Sequence, residues 1–205
     1  MGSEMCIRDR YDKSKIESTL KETSIDDSDL SNVVYLVEDP HTAENFDEIS
    51  KQIAAKVRMG HKPRSCDALY RSGKYYNLIE FKNRKSADLR KGNEMVELHE
   101  KAFDSLGQLA IYLNYQNSLD NLAKETRLVV VYNDGKGAEE ATSDIASSKS
   151  LDGITQKLKQ FSKVTALDSY PLKFKLQRVK GLLYDQVITI DVSDFQTVMN
   201  MIYSE

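Results

Sequence analysis

The sequence predicts an α/β protein with a mixed central sheet flanked by helices. Three observations predict it. Residues 66–82 hold two β-rich arms, dense in Tyr, Leu and Ile, on either side of Ser72-Gly73, a strong turn dipeptide, and so read as a β-hairpin. Glu94 to about Tyr115 carries apolar residues at helical spacing and is the longest periodic segment. Arg127-Leu128-Val129-Val130-Val131-Tyr132 is a continuous apolar run, the pattern of a strand buried on both faces, and the crossover helix before it makes it parallel to a neighbour.

Taken in order, residues 1–10 stand outside the fold. Met1-Gly2-Ser3 resembles a cloning leader, Met5 to Arg10 resembles translated adapter sequence, and neither has the apolar stretch of a secretory signal. Residues 11–205 then form a single domain, with a core at about 41–133 and a C-terminal extension at about 151–205. Residues 11–31 are polar and predict only a short amphipathic element. Val33-Val34-Tyr35-Leu36-Val37 predicts a strand. Asp39-Pro40 marks a boundary, with Asp39 or Thr42 as cap and Pro40 in the first turn of a helix from Thr42 to about Arg58. Phe46, Ile49, Ile53 and Val57 form its apolar stripe.

The later elements follow the same logic. In the long helix, Ala102, Phe103, Leu106, Leu109, Ala110 and Leu113 form the apolar stripe, and Lys101, Gln108 and Tyr112 share an opposite face. His99 lies in the stripe and reads as a packed helix residue. Asn133-Asp134-Gly135-Lys136-Gly137 is a turn, and residues 138–150 read as a mobile connection. Ile154, Leu158 and Phe161 suggest a short helix. Lys173-Phe174-Lys175-Leu176 and Val187 to Val192 alternate as strands, with the lysines and Arg178 and Lys180 guarding a sheet edge. Ser193-Asp194-Phe195-Gln196 has the form of a capping box opening a last helix to about Tyr203.

Composition narrows the function. The 205 residues include 29 Lys plus Arg against 32 Asp plus Glu, a net charge of −3. That argues against a surface coated for non-specific nucleic-acid binding, so any such contact must come from local basic patches. No apolar run approaches the roughly 18 residues of a membrane span, so no membrane partner is expected. With the leader set aside, Cys66 is the one dependable cysteine, which excludes a disulfide framework and a Cys-based zinc site and suggests a reducing, cytoplasmic setting.

The hairpin carries the chemistry. Period-2 alternation puts Tyr76, Leu78, Glu80 and Lys82 on one face of its second arm. A Ser72-Gly73 turn pairs Arg71 with Lys74, Tyr70 with Tyr75 and Asp67 with Leu78. Asp67 then shares a face with Glu80, diagonal to it and within reach of a common ion. Two basic stretches flank this position: Arg58 to Arg64, which includes His61 and Lys62, and Asn83 to Gly92.

Asp67, followed by Glu80-Phe81-Lys82 at the end of an apolar strand, resembles the D…(D/E)-x-K motif of the PD-(D/E)xK, or restriction-endonuclease-like, nuclease superfamily. Cys66 stands where that family often has proline. Gln108-Leu109-Ala110-Ile111-Tyr112 resembles the Q-x-x-x-Y motif of its RecB and λ-exonuclease-like members. The resemblance implies a restriction-endonuclease-like core and metal-dependent hydrolysis of phosphodiesters, foremost in DNA. It implies Mg²⁺ or Mn²⁺ held by Asp67, Glu80 and the Phe81 main-chain carbonyl, with Lys82 acting on the attacking water and Gln108 joining the catalytic set. The first helix of such cores often adds an acid; Glu44 is the position that matches, and Asp47 and Glu48 are the alternatives. Arg64, Arg84, Lys85, Arg90, Lys91 and Tyr112 are the expected nucleic-acid contacts. A catalytically silent nuclease-fold module that binds nucleic acid or protein is the competing expectation, and a homodimer stays open.

Overall fold

A computed structural model describes residues 11–136 and 166–205. The chain opens with three short pieces, α1 (Lys13–Ile16), β1 (Glu17–Thr19) and α2 (Leu20–Thr23), followed by the two-residue strands β2 (Ile25–Asp26) and β3 (Val34–Tyr35). Then come β4 (Thr42–Asn45), α3 (Phe46–Lys56), the hairpin β5 (Ala68–Ser72) and β6 (Tyr75–Lys82), α4 (Ser86–Leu89), α5 (Gly92–Leu113), α6 (Leu119–Ala123) and β7 (Thr126–Tyr132). After the undescribed stretch lie short 3₁₀ turns, β8 (Gln186–Asp191) and α7 (Phe195–Tyr203).

Among the described residues, six strands form one mixed sheet in the order β1-β4-β5-β6-β7-β8. The pairs from β1 to β6 are antiparallel, and β6/β7 and β7/β8 are parallel. The run Leu128-Val129-Val130-Val131 reads as it does because both sheet faces are covered, and every residue of β7 is buried. On one face Leu69, Leu78, Leu128 and Val130 pack against Phe46, Ile49 and Ile53 of α3 and Leu98, Ala102 and Leu109 of α5. On the other, Ala68, Ile79, Val129 and Ile188 meet Leu20 and the Phe195, Val198, Met199 and Ile202 face of α7. Each fully buried Leu, Ile or Phe removes enough apolar surface from water to stabilise the fold by about 1.5–3 kcal/mol. No helix among the described residues is long and apolar enough to cross a membrane.

Several elements differ from the sequence expectation, each for a local reason. Thr42–Asn45 is strand, not helix; it bridges β1 and β5, and Asn45 caps α3 by accepting the Glu48 N–H at 2.9 Å. Val57 falls one residue past α3 and is half exposed. Of Val33 to Val37 only Val34–Tyr35 is strand, an exposed partner of β2 outside the main sheet. Phe174 and Lys175 sit at φ +58° and +55°, which breaks any strand there and sends the chain into a 3₁₀ turn, so those lysines guard no sheet edge. The capping box before α7 does not form: Asp194 makes no side-chain cap bond, and Asp191 instead accepts the Ser193 N–H. The expected connection at 138–150 and helix around Ile154 to Phe161 lie outside the described residues.

The hairpin turn is displaced by one residue. Gly73-Lys74 closes it, pairing Ser72 with Tyr75 and Ala68 with Ile79. Gly73 takes the positive φ of +50° that the turn requires. The slip preserves parity along the paired residues. Asp67 lies one residue before them: its N–H donates to the Ile79 carbonyl at 3.0 Å, and its side chain reaches the end of β6 through the Phe81 N–H.

Candidate functional site

The site forms where the two hairpin strands end against α5. Asp67 immediately precedes β5, and its Oδ2 accepts the Phe81 N–H at 2.6 Å. In a strand the N–H and C=O of one residue leave on the same side, so the Phe81 carbonyl also faces the Asp67 edge. Glu80, in mid-β6, is fully buried. Lys82, two residues on and on the same face, is mostly buried; its Nζ lies 3.3 Å from Glu80 Oε1 and 3.6 Å from Glu97 Oε1. Asp67, Glu80 and Lys82 therefore come together on one face.

A second lysine enters from α5. Lys101 Nζ donates to both Glu80 oxygens, at 2.8 and 2.9 Å, and lies 3.4 Å from Asp67 Oδ1. One ammonium thus bridges the two carboxylates. Burial pushes the Glu80 carboxyl up to about 7, the Asp67 charge adds to the push, and Lys101 and Lys82 oppose it. Burial likewise raises Asp67, against the pull of Lys101 and the Phe81 N–H. Burial works against the Lys101 ammonium too, but the two carboxylates outweigh it and hold the proton more tightly than on a free lysine. Lys101 was not among the expected site residues. The signal for it was present, since it shares a helix face with Gln108 and Tyr112.

That face looks inward. Ser105 Oγ accepts the Cys66 N–H at 2.9 Å, Gln108 Nε2 donates to the Arg64 carbonyl at 2.6 Å, and Tyr112 Oη donates to Glu44 at 3.0 Å. With Asp104 accepting the Arg64 N–H, α5 supplies partners to a stretch before β5 that has no strand of its own. This positions Asp67. Gln108 and Tyr112 are each only 4% exposed, so the expected nucleic-acid contact at Tyr112 is corrected: its ring packs edge-on against Tyr11 and its hydroxyl is engaged inside. Gln108 Oε1 is buried with no hydrogen-bond partner among the described residues.

Of the three candidate acids near the first helix, Asp47 lies close enough to Asp67 for its charge to bear on it. It sits in the first turn of α3, where the helix dipole favours a carboxylate. Lys62 pairs with it at 2.8 Å and Ser65 Oγ donates to it. Glu44 is in β4 opposite Leu69, not at a helix start, and holds Tyr112. Glu48 pairs with Lys51 on the outer side of α3.

An open cleft of about 550 Å³ lies beside the site, lined by Asp47, His61, Lys62, Arg64, Glu100 and Lys101 among others. The expected basic contacts divide into two groups. Arg64 is paired with Glu97 and Glu100, Arg84 with Glu94, and Lys91 with Asp88. Lys85 and Arg90 are exposed, with no side-chain partner among the described residues.

The residues present fit a hard divalent cation in part. Mg²⁺ commonly takes one or two carboxylates and keeps several waters, and here one buried and one partly buried carboxylate already share one cationic group. Among the described residues no group of three or more His, Cys, Asp or Glu side chains is arranged to hold a metal ion. A site here would therefore rest on Asp67, Glu80, a main-chain carbonyl and water. No family model matches the chain, and no curated protein or solved structure matches it either.

Proposed function

We propose that the chain is a Mg²⁺- or Mn²⁺-dependent nuclease of the restriction-endonuclease-like type, hydrolysing phosphodiester bonds, foremost in DNA. The observation that carries the reading is the convergence of Asp67, Glu80 and Lys82 at the open end of one hairpin, beside a cleft lined by both basic and acidic side chains. The element order supports it: a helix, an antiparallel pair bearing the acids, a crossover helix and then a parallel strand.

In this reading Asp67, Glu80 and the Phe81 carbonyl hold the ion. A divalent ion there supplies charge neutralisation at the phosphate and a water of lowered pKa. Lys82 Nζ, held between Glu80 and Glu97, orients the attacking water and offsets negative charge developing on the phosphate oxygens. Asp47, fixed by Lys62 and Ser65, braces the cleft wall beside Asp67. Gln108 acts indirectly, by holding the Arg64 carbonyl and so the chain leading into Asp67.

Supercoiled plasmid incubated with Mg²⁺ or Mn²⁺ should be nicked or degraded, and EDTA should stop it. One observation favours a second reading, a silent nuclease-fold module: Lys101 already bridges the two carboxylates and offsets one of their charges. DNA that is bound but never cut, whatever divalent ion is supplied, would select that module.

A further inference from the structure

We propose that Lys101 is the resident counter-ion of the site: its ammonium holds the position between Asp67 and Glu80 in metal-free protein, and a divalent cation enters by displacing it into the cleft. The inference rests on the reading of Asp67 and Glu80 as metal ligands.

Geometry separates Lys101 from Lys82. Lys82 lies 3.3 Å from Glu80 Oε1 and is shared with Glu97 at 3.6 Å. Lys101 meets both Glu80 oxygens and Asp67 at once, so its ammonium and a shared ion compete for the same lone pairs. A buried Glu80 and a partly buried Asp67 with no cation between them would repel, since little water reaches them to screen the charges. The metal-free protein therefore needs a stand-in, and a long flexible lysine from a neighbouring helix supplies one.

Displacement also needs somewhere to go. Lys101 lines the cleft, and its side chain is 15% exposed, so the ammonium already borders open space. Asp47 lies within its electrostatic reach, and Glu100 and Asp104 stand on the same wall. The stem can rotate outward without stranding a buried charge. Lys101 and a divalent ion held together between the same carboxylates would instead set like charges against each other. The released ammonium lies on the cleft wall, where an anionic phosphodiester would meet it.

The test is divalent-ion binding on EDTA-stripped protein without DNA. Mn²⁺ is titrated by calorimetry into wild type, Lys101→Met and Lys101→Arg. Removing the competitor should tighten Mn²⁺ binding in Lys101→Met by tenfold or more, whereas Lys101→Arg, which keeps the charge, should bind no more tightly than wild type. Equal or weaker binding in Lys101→Met overturns the proposal. Should Lys101→Met not fold without metal, the wild type decides alone. Its Lys101 ammonium should give a protected NMR signal, assigned by its loss in Lys101→Arg, that is lost as Mg²⁺ saturates the site. Persistence of that signal at saturation overturns the proposal. No divalent binding in either wild type or Lys101→Met removes both the counter-ion and the metal site. Tighter binding in Lys101→Met, with wild type that never cuts DNA, keeps the counter-ion and removes only the nuclease.

Discussion

Two lysines share one glutamate, and their surroundings give them different work. Lys82 stands on the same strand as Glu80, clamped between Glu80 and Glu97, so it has little freedom to leave. A group held in that way acts where charge develops, in the transition state. Lys82→Ala should therefore lower cleavage about a hundredfold or more while DNA affinity stays near wild type, measured as single-turnover rates against binding isotherms. A parallel loss of affinity would make Lys82 a binding residue instead. Glu80 carries a second prediction. The folded protein holds its proton more tightly than the unfolded chain, so folded protein binds more protons between about pH 4.5 and 7. Metal-free stability should thus fall as pH rises through that window, by up to ~1.4 kcal/mol per pH unit for one proton. The raised Lys101 group contributes equally across that range, because its stabilisation is lost only above the ordinary lysine value of 10.5. Denaturant unfolding in EDTA at pH 5 and 7.5 should show a steeper decline in wild type than in Glu80→Gln; equal slopes would contradict the raised carboxyl.

At the scale of elements, α5 organises the site more than the hairpin does. Lys101, Ser105, Gln108 and Tyr112 recur at helical spacing along one face, and each meets a partner on or next to the sheet. Ser105→Ala should leave the buried Cys66 N–H without an acceptor, at about 1–3 kcal/mol, and loosen the residue next to Asp67. Asn45→Ala should cost about 1 kcal/mol through its helix cap alone. Only the first should also reduce the rise in melting temperature produced by Mn²⁺; equal metal shifts in both variants would show that Asp67 is held without α5. The same helix explains what the sequence hid. Its apolar stripe left Gln108 and Tyr112 on the opposite face, with solvent and the site equally open to them; α5 is in fact buried over a wider arc, and Phe103, inside the supposed stripe, is 51% exposed. That Asp67 and Glu80 meet was legible from the hairpin, since a two-residue change of register keeps the paired residues on their faces. Asp67 itself lies just before that register and reaches the site through the Phe81 N–H and Lys101. The turn position was not, since Ser72-Gly73 and Gly73-Lys74 both place a glycine where positive φ is needed. Thr42–Asn45 was misread because a four-residue strand before a capped helix carries no period of its own, and its partners lie far along the chain.

For the whole molecule, charge is the quantity that decides how a polyanion could bind. The net charge of −3 opposes non-specific association, so affinity must come from a few cations not already neutralised by the protein. Arg64, Arg84 and Lys91 each carry a carboxylate partner, and a phosphate must compete with it. Lys85 and Arg90 are exposed on the loop and short helix that leave β6 just beyond Lys82. In the proposed nuclease reading they are exposed cations after Lys82 on which a strand of nucleic acid would settle. Each phosphate contact releases counter-ions, and removing one should reduce the slope of log affinity against log salt by about 0.7–0.9. Lys85→Ala and Arg90→Ala should accordingly weaken DNA binding and flatten its salt dependence, while the cleavage rate of bound DNA is kept. Arg84→Ala should change the slope less, because it also frees Glu94. Fluorescence anisotropy with a labelled duplex and a labelled single strand, across a salt series, measures both quantities. Unchanged slopes in Lys85→Ala and Arg90→Ala, together with a fall in Arg64→Ala, would move the path of the strand from the loop after β6 to the cleft beside α5.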